Sequence, residues 1–229
     1  MTVPAVVHVR NIETEFLDGL APAEIKMIFS AARRRQYLAN SVIVNQGQSA
    51  EHVFLLVSGR ARYFYLTRDG RKVILRWITP GEIFATAAIL SRPSEYVAST
   101  EVVKNSSVLV WDRSAIRDLI TRYPRLIDNT MLIMFKDFAF YRDAHISKVY
   151  DSAPQRVAYI LGNLANSIGK RVARGIELDV RNDELANEAN VTPYTVSRLL
   201  SGWQRKGILV KRRGRVLLRS SERLFLESD

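Results

Sequence analysis

From Pro124 to about Lys148 the chain runs without a glycine or an internal proline, and this run divides the sequence into three parts. Ile127, Met131, Met134, Phe138, Tyr141 and His145 step along it by four and three. Leu132, Phe135, Ala139 and Ile146 form a second apolar stripe beside them. Each set falls on one face of a helix. A long helix with two apolar stripes presents more apolar surface than one neighbour covers. One stripe packs on its own chain, and a second copy of the same helix covers the other. The alternative is a helix buried all round within a single chain, and spacing alone leaves open which stripe would meet a partner.

What precedes this run is β-rich. Val53-Phe54-Leu55-Leu56-Val57 ends at Ser58-Gly59, and Ala61, Tyr63 and Tyr65 then alternate with Arg60, Arg62 and Phe64. A turn signal at Arg68-Asp69-Gly70-Arg71 leads into Val73–Ile78, which Pro80-Gly81 stops, and a further apolar run spans Val108–Trp111. Short β-branched and aromatic runs, punctuated about every eight to twelve residues by turn formers, predict an antiparallel sandwich or barrel. A helix from Pro22 to Arg33, with Ile25, Ile28 and Phe29 on one face, precedes it, and a short one from Ser114 to Tyr123 follows.

After the run, Asp151-Ser152-Ala153-Pro154 caps a new helix whose apolar face is Val157, Ile160, Leu161 and Leu164. Gly169–Gly175 reads as a basic turn and Ile176–Val180 as a short strand. Asn182–Ala189 is then a short helix capped by Asn182 or Asp183, Asn190-Val191 a tight turn, and Thr192-Pro193 the N-cap and first position of a helix reaching Lys206. Val196, Leu199, Leu200 and Trp203 lie on one face of that helix, with Tyr194, Thr195, Ser197, Arg198 and Gln204 on the other. Two short helices about a tight turn, the second polar outward, make a helix-turn-helix over 183–206. A helix fits a major groove about 12 Å wide, where Arg198 can donate twice to guanine. Thr192, Thr195, Ser197 and Tyr194 can reach bases or phosphates. Beyond Gly207, the apolar pieces Ile208–Val210 and Val216–Leu218 flank a basic turn and predict a β-hairpin wing.

No acidic residue occurs from Ala189 to Ser221, and Arg205, Lys211, Arg212, Arg213 and Arg215 lie in that stretch. One-signed charge around a helix-turn-helix predicts phosphate binding rather than an ordinary solvated face. The whole chain of 229 residues agrees, with a formal net charge of +11. The absence of cysteine excludes disulfides, thiolate zinc sites and cysteine-held iron–sulfur clusters. No stretch approaches the about eighteen apolar residues of a membrane span, and Met1–Asn11 does not read as a signal peptide, so a cytoplasmic protein without a membrane partner is expected.

On these residues the sequence resembles the CRP/FNR family of bacterial transcription regulators along nearly its whole length. Thr195-Val196-Ser197-Arg198-Leu199-Leu200 is similar to the recognition helix of the fumarate–nitrate regulator branch. Val44-Asn45-Gln46-Gly47, Ser58-Gly59 and Pro80-Gly81-Glu82 are similar to turns of the family's cyclic-nucleotide-binding-like roll, and the long helix to its dimerisation helix, with Asp151 at the hinge. The resemblance implies an α+β protein with an antiparallel, jelly-roll-like β-roll over 1–123. A dimerisation helix and hinge follow over 124–150, and a winged helix-turn-helix over 151–229. It implies no enzyme but a homodimer on two-fold double-stranded DNA, with RNA polymerase as a partner.

The sequence departs from the family in two places. The branch usually carries Glu where this chain has Tyr194, so the preferred half-site should differ there. Cyclic-nucleotide members hold ribose and phosphate with Gly-Glu and Arg-Ser or Arg-Thr, and here those four polar positions are Ala85, Thr86, Tyr96 and Val97. A buried phosphate without a cation is costly, so cyclic AMP is not expected to bind. Haem-type axial ligands are not evident, His145 being read as an interface residue. These positions leave open an unidentified small effector or a roll without ligand. A cupin-type enzyme, the reading from another class, would need His and Glu clustered on a metal, and His52 stands alone.

Overall fold

The computed structural model describes residues 12–228, so the reading of Met1–Asn11 lies outside them. The chain forms two compact units. Among the described residues, one comprises 12–64 together with Ile78–Lys136, the other Tyr65–Trp77 with 137–228. By compactness the chain divides within the long helix, after Lys136, whereas the sequence reading sets that helix apart as 124–150. The long helix is continuous across both units, and the outer part of one β-hairpin, with all but the last residue of its second strand, belongs with the C-terminal unit although that strand pairs into the sheet described next.

The first unit opens with α1 (Pro22–Ser30). The helix stops three residues short of the expected Arg33, and Arg33 itself opens an edge strand, β1 (Arg33–Tyr37), paired with β6 (Ser99–Asp112) from Arg33↔Val110 to Tyr37↔Ser106. Its three arginines are exposed, and Arg34 Nε donates to Ser107 Oγ at 2.7 Å. With β2 (Val42–Val44), β3 (His52–Leu66), β4 (Lys72–Ile78) and β5 (Ile83–Phe84), they make a six-stranded sheet of order β1-β6-β3-β4, in which β2 also pairs β6 and β5 pairs β3.

Strand β3 continues through Ser58-Gly59, which the sequence suggested was its end. The register against β6 slips there, and Gly59 has φ +97°. A Cβ at this position would strike the Ser106 hydroxyl and the Asn105 carbonyl, so only glycine fits the bulge. Val53, Phe54, Leu55 and Leu56 are all buried, because both faces of β3 are covered. Trp111 anchors α1, its Nε1 donating to the Ile28 carbonyl at 2.8 Å. The short α2 (Arg113–Arg122) closes this core with Ile116, Leu119 and Ile120.

Helix α3 (Arg125–Tyr150) buries neither of the two stripes read from the sequence. Its inward row is Leu126, Asn129, Thr130 and Ile133, continued by half-buried Asp137, Tyr141 and Ala144. Asn129 Nδ2 donates to the carbonyls of Phe16 at 3.0 Å and Asp18 at 2.9 Å, which settles a polar side chain in an apolar seat. Ile127, Met131, Leu132, Met134, Phe135, Phe138, His145 and Ile146 are exposed. Tyr141 departs from the row assigned to it. It lies partly buried in its own chain against Arg76 of β4, which itself pairs with Asp137 at 3.3 Å.

In the second unit, Ser152 caps α4 (Ala153–Ser167) in a reciprocal box. Its N–H donates to Gln155 Oε1 at 2.8 Å, and its Oγ accepts from the Gln155 N–H at 3.4 Å. The basic segment after Gly169 is a strand, β7 (Lys170–Val172), rather than wholly a turn. It pairs with β8 (Gly175–Leu178), and a four-stranded sheet of order β7-β8-β10-β9 takes in β9 (Leu209–Arg212) and β10 (Arg215–Leu218). Helix α5 (Asn182–Ala189) is capped through Arg181, whose N–H donates to Glu184 Oε2 at 2.9 Å, not through Asn182 or Asp183. It ends at Asn190 with φ +52°. Helix α6 (Pro193–Arg205) follows, and the terminal α7 (Ser221–Leu226) was not anticipated from the sequence.

Candidate nucleic-acid interface

Thr192 organises the start of α6. Its Oγ1 accepts from the Thr195 N–H at 3.1 Å and lies 2.9 Å from the Thr195 hydroxyl, while Pro193 occupies the position where a missing N–H costs nothing. Replacing this cap leaves a helix-end amide without its partner. Thr192→Ala is therefore expected to lower stability by about 1 kcal/mol, read by urea denaturation, with Thr192→Ser retaining most of it.

Below the cap, Val196, Leu200 and Trp203 are buried, with Leu199 partly so, and these residues fix which face turns out. That outer face carries Tyr194, 77% exposed, exposed Arg198 and half-buried Thr195 and Ser197. Arg205 lies seven residues after Arg198, hence on the same face two turns on. The wing of β9 and β10 turns at Gly214, with Arg212 and Arg213 exposed at its tip. Gln204 Oε1 accepts the Lys211 N–H at 2.7 Å, tying the wing to the helix.

Two of the expected phosphate contacts have partners of their own. Lys211 Nζ donates to Ser197 Oγ at 2.9 Å, so its charge lies over the helix face rather than at the wing tip, and its position follows Ser197. Arg215 NH1 lies 3.3 Å from Glu177 Oε1 on β8. Arg198, Arg205, Arg212 and Arg213 have no carboxylate partner among the described residues. The surface is thus a polar helix face rimmed by uncompensated guanidinium groups, which is what a polyphosphate backbone with readable base edges requires. The basic run of Lys211–Arg215 was legible in sequence, but the Gln204 and Ser197 links that orient Lys211 were not, because they join residues seven and fourteen apart across a turn.

The four substituted positions in the roll do not act together. Ala85 is buried at φ +59°, and its N–H donates to Tyr63 Oη at 2.7 Å. Tyr96 is buried, and its hydroxyl both accepts from the His52 N–H and donates to the His52 carbonyl at 3.0 Å. Burial pushes this phenol above its usual pKa. Val97 faces solvent at 85% exposure, and Thr86 is partly buried. They do not form a cation-bearing seat. No helix among the described residues is long and apolar enough to cross a membrane, and no group of three or more His, Asp or Glu side chains there is placed to hold a metal.

Residues 34–123 match the family model described as the cyclic nucleotide-binding domain, and residues 155–225 match the Crp-like helix-turn-helix domain. The cyclic AMP receptor protein of Thermus thermophilus is 29% identical over 194 residues, 83% of this chain and 86% of its own. The anaerobic regulatory protein of Bacillus subtilis is 22% identical over 215 residues, 89% of this chain and 87% of its own. Among solved structures, the c-di-GMP responsive global regulator CLP of Xanthomonas campestris superposes with a TM-score of 0.76 at 16% identity, covering 87% of this chain and 100% of that one, a likeness of fold.

Proposed function

Because the chain belongs to the CRP/FNR family of transcription regulators, we propose that it binds a two-fold DNA site as a homodimer. The α6 helix of each protomer would enter one of two successive major grooves about 34 Å apart, from where the dimer acts on RNA polymerase in the cytoplasm. The observation that carries this reading is the outer face of α6. There, Arg198 is exposed and free of carboxylates among the described residues, beside Thr195 and Ser197 and under a basic wing. The paired apolar stripes of α3, exposed over most of their length, supply a surface for the second protomer. The protein is not an enzyme.

Arg198→Ala is expected to weaken specific binding by about 1–3 kcal/mol and to relax the preference at one base position, read by mobility shift on a site selected from random DNA. Arg213→Ala should weaken all sequences alike and reduce the slope of log affinity against log salt by about 1. Unchanged specific affinity in Arg198→Ala overturns the recognition assignment.

Cyclic AMP is expected neither to bind nor to change DNA affinity. Ala85, Thr86, Tyr96 and Val97 offer its phosphate no cation, and the Tyr96 hydroxyl is already engaged with His52. The same observation favours a second reading, a roll that takes no ligand and a regulator controlled by its own abundance. In the first reading a signal reaches the DNA-binding helices by another entrance.

A further inference from the structure

The C-terminal unit contains a cavity of about 230 Å³ with no wall from α6. Four elements line it, β4 with Val73, α3 with Tyr141 and Ala144, α4 with Arg156 and Tyr159, and α5 with Glu188. A cavity of about 150 Å³ accommodates benzene, so this one has room for one aromatic ring and a small substituent.

Its charges select the substituent. Glu188 is the one carboxylate of the lining, against the cations Lys148 and Arg156. Arg156 has no carboxylate partner among the described residues, and its guanidinium is held only by carbonyls. Nε donates to Ala189 at 2.8 Å and NH1 to Asp151 at 2.7 Å. A planar cation fixed beside tyrosine rings in a partly enclosed space is a seat for a carboxylate borne on a ring. The same two bonds give the seat a lever. Asp151 stands where α3 passes into α4, and Ala189 is the last residue of α5, the first helix of the helix-turn-helix. A ligand that draws on Arg156 thus acts on both at once, and a difference in those contacts between two arrangements is what shifts their populations.

We propose that this cavity is an effector site for a small aromatic carboxylate, and that its occupant alters DNA affinity through Arg156 and α5. The second half of the proposal rests on the DNA-binding reading above; the first does not.

The test uses the full chain, with 4-fluorobenzoate as probe and neutral 4-fluorobenzamide as its control, both followed by fluorine NMR. 4-Fluorobenzoate is expected to bind one site per chain with a dissociation constant of about 1 mM or tighter, the amide at least about tenfold more weakly. Ala144→Trp and Val73→Phe, which fill the cavity from two different walls, should each abolish binding. Lys148→Gln should weaken the carboxylate but not the amide. Saturating 4-fluorobenzoate should change affinity for the selected DNA site at least about fivefold, in either direction. Absence of a saturable signal up to about 10 mM, or a signal that survives in both filled variants, overturns the site. Binding without any change in DNA affinity overturns its regulatory half. A protein that retards DNA but ignores the probe overturns this inference alone. One that binds the probe and retards no DNA overturns the gene-regulation reading and keeps the ligand site.

Discussion

If the protein is the homodimer proposed above, Phe138→Glu is expected to make it a monomer and to reduce affinity for a two-fold DNA site by roughly a thousandfold or more, toward the non-specific level. Phe138 is 66% exposed and stands beside Phe135, 65% exposed, and Met134, in the middle of the apolar side of α3. In a pairing of two copies of this helix across a two-fold axis, the same position from each protomer lies near the axis. A glutamate there is removed from water without a cation and is brought up to a second glutamate, so desolvation and repulsion add. The folded monomer is spared, because the inward row of Leu126, Asn129, Thr130 and Ile133 is untouched. Each protomer would keep its recognition helix but hold only a half-site, and the affinity that comes from fixing two helices at one spacing is lost. Sedimentation velocity and a DNA titration on the same preparation test this. A Phe138→Glu protein that still sediments as a dimer removes this face of α3 from the interface.

The helix itself was plain in the sequence, and its inward face was not. Two apolar stripes suggested that one of them packs on the chain, yet the buried row includes Asn129, Thr130 and Asp137, residues that hydrophobic periodicity does not count. Asn129 is accommodated by two carbonyls far away in sequence, and Asp137 by Arg76 from a hairpin. Tyr141 was assigned to the wrong row for the same reason. Partners that make polar residues buriable come from elsewhere in the chain and leave no periodic trace. Strand β1 was not anticipated, for a related cause, and only its first residue, Arg33, had been drawn into the preceding helix. Arg33–Tyr37 has no strand pattern, and it forms an edge because β6 offers an unpaired side at that register. The helix-turn-helix was legible almost to the residue. There the local signals coincide, with Thr192 as cap, Pro193 at the first helical position and buried Val196, Leu200 and Trp203 at helical spacing. The roll was legible as β structure but not in detail. Gly59 reads as a terminator in sequence and serves as a bulge in the fold, since a glycine that tolerates positive φ suits both.

The native chain is expected to lose stability as pH rises from about 4.5 through about 7, and Glu188→Gln is expected to remove that dependence. Glu188 lies on the first helix of the helix-turn-helix, half-buried as a residue with its carboxyl group enclosed. Burial pushes that carboxyl up to about 7, against the opposing pull of the Trp77 indole and the Lys148 ammonium and with a further push from Glu184. An acid whose pKa is higher folded than unfolded holds its proton more tightly in the folded state. Stability conferred by that proton is complete below the unfolded value of about 4.5 and is lost progressively as pH rises through about 7. The full shift corresponds to about 3 kcal/mol at 1.36 kcal/mol per pKa unit, and solvent reaching the partly exposed residue lowers this to about 1–3 kcal/mol. Glutamine keeps the shape and an oxygen for the Trp77 indole but carries no charge at any pH. Glu188→Gln should therefore match the native protein at pH 4.5 and exceed it by about 1–3 kcal/mol at pH 8, a large share of the 5–15 kcal/mol that holds a typical fold. Urea denaturation at a series of pH values reads this directly. Parallel pH profiles for the two proteins would show that the Glu188 carboxyl ionises in the folded state as it does in water.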